Sequence, residues 1–191
     1  MHSNGNCLAG FIAFGAFLSP DSFAAAEYTL DPNRTLVAFE MRSLGTTQRG
    51  EFSRAAGTVM LDVAAEQGDL EIVIDARSLK ASSPAAEKFV RGPSMLNTDV
   101  HPEIAYRARR VVFSQARPAR IEGELTLLGV TRSVALDVSH YDCSDEVEQP
   151  QRCAIVATAS VKRSAFGMTR YRLVASDDVK LAIRAEASRT L

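Results

Sequence analysis

The sequence predicts an all-β protein, an eight-stranded antiparallel barrel with one short helix. Three observations predict it. Apolar and polar residues alternate in segment after segment, the period of a strand with one dry face and one wet face. The segments follow one another through short turns, which favours antiparallel neighbours. Eight strands leave two exposed edges unless the sheet closes on itself, and a barrel of that size has room inside for side chains or one small ligand. A filled β-sandwich is the competing arrangement.

Asp31 to Arg42 starts as a turn and becomes a strand, with Val37, Phe39 and Met41 on one face. Ser43 to Gln48 is a turn containing Gly45, and Gly50 to Asp62 is a long bent strand in which Gly57 suggests a bulge or a close approach. Gln67-Gly68-Asp69 reads as the next turn. Leu70 to Ala76 then alternates, with Leu70, Ile72 and Ile74 opposite Glu71, Val73 and Asp75. The rhythm breaks at Ser82 to Arg91, a short helix capped by Ser83, started by Pro84 and ended by Gly92-Pro93. Strands resume at Glu103 to Ser114, where Ile104, Tyr106 and Ala108 share a face. Arg120 to Ser139 is a hairpin: Ile121, Gly123, Leu125 and Leu127 lie on one face of its first strand, and Val134, Leu136 and Val138 on one face of its second. Gly129 supplies the positive φ its turn requires. Arg152 to Arg163 and Asp177 to Ser188 complete the set.

A chain of 191 residues with ordinary composition, 46% hydrophobic and 24% charged, is long enough for one domain. A net charge of -1 with acids and bases interleaved lacks the basic face of a nucleic-acid binder. Residues 1–26 read as a signal peptide: Cys7 to Leu18 is uncharged and too short to span a bilayer, and Ala24-Ala25-Ala26 resembles a cleavage site, although the first six residues carry no Lys or Arg. A disordered or membrane-tethered N-terminus is the alternative. The remaining 27–191 form the barrel domain, with no stable membrane span. They hold two cysteines, Cys143 and Cys153, and export makes a disulfide between them the expectation. Periplasmic or secreted localisation follows.

Catalytic patterns are sparse. The mature chain has His101 and His140 only, neither near a second ligand at metal spacing, so no metal site is expected. No phosphate loop, dinucleotide fingerprint or nucleophile elbow occurs, and no cofactor or catalytic residue is assigned.

Several stretches resemble the YceI-like family of secreted bacterial proteins: YTLDPNRTLVAFEMRSLG, GEFSRAAGTVMLD, MLNTDVHPEIAYRA, GELTLLGVTRSVALDV, KRSAFGM and VKLAIRAEA. The resemblance runs in order from Glu27 to Ala187. It implies a lipocalin-like barrel around an elongated pocket for a polyisoprenoid chain, such as a quinone tail, and no enzymatic activity. The chain departs from the family's pattern at Asn33-Arg34, at Ser43 and at Phe89, where many members carry His. It also has Met95 in place of an aromatic and Ala165 in place of an acid. If those polar groups hold a ligand's head group in the family, the resemblance implies a different or less polar one here, since Ser43 and Phe89 lack the donors of His.

Taken with the strand faces, the resemblance implies a ligand-binding set of Val37, Phe39, Met41, Ser43, Leu44, Phe52, Phe89, Met95, Leu96, Tyr106 and Phe166. The hairpin's Leu125, Leu127, Val134 and Leu136 are expected to be wall or packing. The expected partner is a hydrophobic small molecule, with a homodimer open to the chain. Two other readings stand beside it: an interaction or stress protein with a filled barrel, and an enzyme acting on a lipid head group through Arg163, His140 and Asp142.

Overall fold

The computed structural model describes residues 25–144 and 151–190. The signal-peptide reading falls almost wholly outside them. Eleven strand segments form one antiparallel sheet. They make eight staves in sequence order, because three staves are each built from two segments.

The first stave is β1 (Ala26–Leu30) and β2 (Leu36–Ser43). The second is β3 (Thr46–Phe52) and β4 (Ala55–Asp62). The third is β5 (Gln67–Asp75) and β6 (Leu79–Ala81), joined by a 3-10 turn at Ala76–Ser78. The others are single strands: β7 (Glu103–Ser114), β8 (Arg117–Leu127), β9 (Val130–Cys143), β10 (Arg152–Lys162) and β11 (Asp178–Arg189). β11 closes the barrel by pairing with both halves of the first stave. Phe39 of β2 lies opposite its Leu181, and Tyr28 of β1 opposite its Arg189.

The barrel is splayed where β6 pairs with β3 while β7 pairs with β5 and β8 and not with β6. Helix α1 (Pro84–Arg91) packs against β6 there. The Ser83 hydroxyl accepts from Ala86 N, Pro84 opens the helix and Gly92 ends it, as the sequence predicts. The chain then folds under the helix, with Leu96 N donating to Val90 O at 2.9 Å, and buries Met95 and Leu96.

The predicted strand faces hold, but several boundaries differ. β1 was not predicted, and the segment after it is a turn. The bend in the second stave lies at Ser53-Arg54. Its cause is the buried Ser78. Its hydroxyl accepts from Arg54 N at 3.2 Å and donates to Asp75 O at 2.6 Å, replacing a ladder bond. Of the two alternatives at Gly57 the structure has the close approach, where a Cβ would sit 2.1 Å from Glu71 O. Gln67 to Asp69 already belong to β5, so the turn precedes them. The turns at Leu44-Gly45 and Leu128-Gly129 are two-residue hairpins with both φ angles positive.

Cys143 and Cys153 are register partners across β9 and β10 and form the expected disulfide, S–S 2.00 Å. Gly123 of β8 makes room for the Tyr106 ring. A Cβ there would lie 2.5 Å from Arg107 O and 2.7 Å from Tyr106 Cζ. Gly123→Ala is therefore expected to destabilise the fold by about 1–3 kcal/mol through overpacking, read as a lower urea midpoint at unchanged slope. Replacing both Cys143 and Cys153 by Ser is expected to cost about 3 kcal/mol, from the loop entropy released in the unfolded chain.

Candidate functional site

The alternating inward residues enclose an apolar lumen in two chambers. The larger, about 160 Å³, lies between the disulfide end and the waist; it is walled by Leu30, Val59, Ile72, Ile155, Ile183 and their neighbours, and no polar atom faces into it. The smaller, about 100 Å³, lies under α1 among Phe52, Met95, Leu96, Leu127 and Met168. Val37, Ile74, Leu125 and Leu181 line both chambers, so the two adjoin. Beyond the smaller chamber a recess of about 400 Å³ opens to solvent, and Phe39, Met41, Val90, Met95 and Arg163 line both. Mouth, neck and lumen thus follow one another along the barrel.

The polar groups in the wall are turned onto protein partners. Tyr106 Oη donates to Val134 O at 3.0 Å or Ile121 O at 3.2 Å. Tyr28 Oη donates to Gln151 Oε1 at 3.0 Å, and Tyr141 Oη to Cys143 Sγ at 3.0 Å. The Thr35 hydroxyl donates to Asp31 O at 2.8 Å. Burial pushes the Tyr106 and Tyr141 phenols up, so neither ionises near neutral pH. The larger chamber is therefore uncharged as well as apolar.

Arg163 stands at the neck and is 1% exposed. Its guanidinium donates to four backbone carbonyls: Met168 O at 2.7 Å, Arg170 O at 2.6 Å, Ser176 O at 2.9 Å and Ala175 O at 3.3 Å. Among the described residues no carboxylate forms an ion pair with it. The cation holds the 167–177 loop over one side of the mouth. Asp177 secures the same loop by accepting from Ser164 Oγ at 2.6 Å and Ser164 N at 2.9 Å.

Ten of the eleven predicted ligand-binding residues line these spaces. Val37, Phe39, Met41, Phe52, Met95, Leu96 and Tyr106 face the chambers, and Ser43, Leu44 and Phe89 sit at the mouth. Phe166 is the exception: it is buried in the core beside Arg163 and lines none of the three spaces, because the 3-10 turn Arg163–Phe166 points its ring into the packing. Ala165 is exposed and lines none of them either, so that departure from the family's pattern cannot act on a ligand directly. The hairpin's Leu125, Leu127, Val134 and Leu136 are lumen wall. The larger chamber went unnamed in sequence. Its aliphatic residues carried the signal through strict alternation, but alternation alone does not separate cavity wall from filled core.

The catalytic trio does not assemble. His140 and Asp142 are exposed and pair with Val156 and Ala154 on the first half of β10. Arg163 follows the last residue of β10, about 23 Å farther along at strand rise. Among the described residues no three His, Cys, Asp or Glu side chains could hold a metal ion, and no helix is long and apolar enough to cross a membrane.

The model of the YceI-like domain matches residues 28–187. The chain belongs to the YceI-like family. A UPF0312 protein of Pectobacterium atrosepticum is 28% identical over 186 residues, 95% of this chain and 96% of the relative. The YceI protein of Salmonella arizonae is 27% identical over 183 residues, 94% and 95% of the two chains. Among solved structures, Burkholderia cenocepacia BcnA superposes with a TM-score of 0.67 at 17% identity, covering 82% of this chain and 98% of its own. A polyisoprenoid binding domain from Saccharophagus degradans superposes with a TM-score of 0.62 at 14% identity, covering 87% and 99%. These structures share the YceI-like fold with this chain.

Asp177 provides a pH test of the mouth. The Ser164 hydroxyl and then its amide hold the Asp177 carboxyl below its ordinary value of 3.8. Its contribution is present above that value and is lost as the pH falls through the lower folded value. Ser164→Ala is expected to lower the melting temperature at pH 7 and to shrink the loss between pH 7 and pH 3, read by parallel thermal melts. Equal losses in both proteins would contradict the assignment.

Proposed function

We propose that this YceI-like protein is an exported, non-enzymatic carrier that holds the chain of a polyisoprenoid, or a similar long-chain amphiphile, in its barrel. One observation carries the reading: a mouth leads through a neck to adjoining chambers into which almost no polar atom projects. Such a lumen offers a hydrocarbon chain about 25 cal/mol per Å² removed from water, and offers a polar substrate nothing. The relative from Saccharophagus degradans, described as a polyisoprenoid binding domain, supports the ligand class. The Cys143–Cys153 disulfide and the signal-like N-terminus support export.

A dry cavity of about 150 Å³ accommodates a benzene-sized guest. The larger chamber, about 160 Å³, is of that order, so a longer chain enters only as wall side chains move apart. Met41, Met95 and Met168, unbranched and adaptable, line the smaller chamber where that movement starts. The small volumes also favour one competing reading, a filled barrel whose work is done on its outside.

Uptake of a long polyprenol, measured by co-elution on gel filtration, separates the two. One polyprenol per chain is expected. Ala157 is 1% exposed and lines the larger chamber, so Ala157→Leu grows into it. That variant is expected to retain its melting temperature and lose at least tenfold in uptake. Absence of uptake by the unaltered protein would favour the filled barrel.

A further inference from the structure

Five exposed apolar side chains gather around the recess. Leu44 is 78% and Leu173 101% exposed, and Phe89, Tyr171 and Val174 are each more than two-fifths exposed. They come from three elements: the β2–β3 turn, helix α1 and the 167–177 loop. These elements are joined. Leu44 N donates to Val174 O at 2.8 Å, Ser43 bridges Ala175, and the Phe89 and Tyr171 rings meet edge to face at 5.2 Å. Leu44, Phe89, Tyr171 and Val174 line the recess itself.

Two of the five are held out at a conformational cost. Leu44 has φ 50° and Tyr171 φ 64°, in the left-handed region that L residues with bulky side chains resist. Glycine or asparagine would suit those positions in water. Leu44, 78% exposed, buries little within the fold, and among the described residues Tyr171 makes its ring contact with Phe89 alone.

The charges around them are mainly positive, the acids on the same elements being Glu87 in α1 and Asp177 at the end of the loop. Residues 42–49 contain Arg42 and Arg49 and no acid, and residues 167–176 contain Arg170 and Arg172 and no acid. In α1, Lys88 and Arg91 face a single Glu87, which is held by Arg91 at 3.5 Å and Lys80 at 3.9 Å. Among the described residues Arg42, Lys88, Arg170 and Arg172 have no carboxylate within ion-pair distance. An apolar tip ringed by unpaired cations is the pattern of a segment that sits in the interface of an anionic membrane. A second copy of the chain would bring like charges together.

We infer that the mouth of the barrel is a docking surface for an anionic lipid bilayer. Leu44, Phe89, Tyr171, Leu173 and Val174 enter the headgroup boundary, and the surrounding arginines and Lys88 meet the lipid phosphates. Docked this way, the recess opens onto the hydrocarbon from which a chain would enter. The inference is independent of what the lumen holds, since docking is read without any ligand.

The test is sedimentation of the purified protein with vesicles of phosphatidylcholine, alone or with one part in four phosphatidylglycerol. The protein is expected to pellet with the anionic vesicles and to remain largely in solution with neutral ones. Leu173→Asp and Arg172→Glu are each expected to weaken binding about fivefold or more at unchanged melting temperature. Val63→Asp, in the turn after β4 at the far end of the barrel, is expected to bind like the parent. Failure to pellet, equal binding to neutral vesicles, or equal binding by the mouth variants overturns the inference. So does a dimer by light scattering that Leu173→Asp dissociates, which would assign the patch to a second copy.

Discussion

Closure of this barrel depends on β11 hydrogen bonding to two half-strands at once. β2 takes one half of β11 and β1 the other, and β1 also pairs with β4. Without β1 the sheet would end in an open edge at β4, and the larger chamber would lack the wall that Tyr28 and Leu30 supply. Closure satisfies the backbone around the ring, so the interior need contain no polar group to compensate. The apolar lumen is thus a consequence of topology first and of side-chain choice second.

The two ends differ. At the disulfide end, Tyr28 and Tyr141 turn their hydroxyls onto Gln151 and the disulfide sulfur. At the other end β6 and β7 part, α1 fills the gap, and a loop is hung from Arg163. A buried cation is costly unless its donors are met. Here four carbonyls of one loop meet them, so the energy that keeps Arg163 buried also keeps the loop in place. That ties a loop with exposed Tyr171 and Leu173 to the barrel beside the mouth.

Much of this was legible in the chain. Alternation assigned the correct faces of β2, β5, β7 and β8, and Ser83, Pro84 and Gly92 bounded the helix. What escaped was decided by partners distant in sequence. The bend at Ser53-Arg54 exists because Ser78, in the next stave, reaches back to it. β1 is five residues long and follows an alanine run that reads as a cleavage site, so its pairing with β4 and β11 left no local mark. Phe166 resembled a lining residue because it is aromatic and near the neck, but a 3-10 turn aims it into the core. Conversely, Val59, Ile72, Ile155 and Ile183 were not assigned to the ligand, since only the closed barrel decides whether opposing walls meet or leave a gap.

The central claim is that the lumen of this YceI-like protein holds one long apolar chain. Native mass spectrometry of protein purified without detergent tests it most directly. The account predicts a population heavier than the polypeptide by one lipid, reduced to the bare mass on unfolding in organic solvent, with a prenyl-type chain in the extract. A bare polypeptide mass throughout, unchanged after incubation with polyprenol, would contradict it.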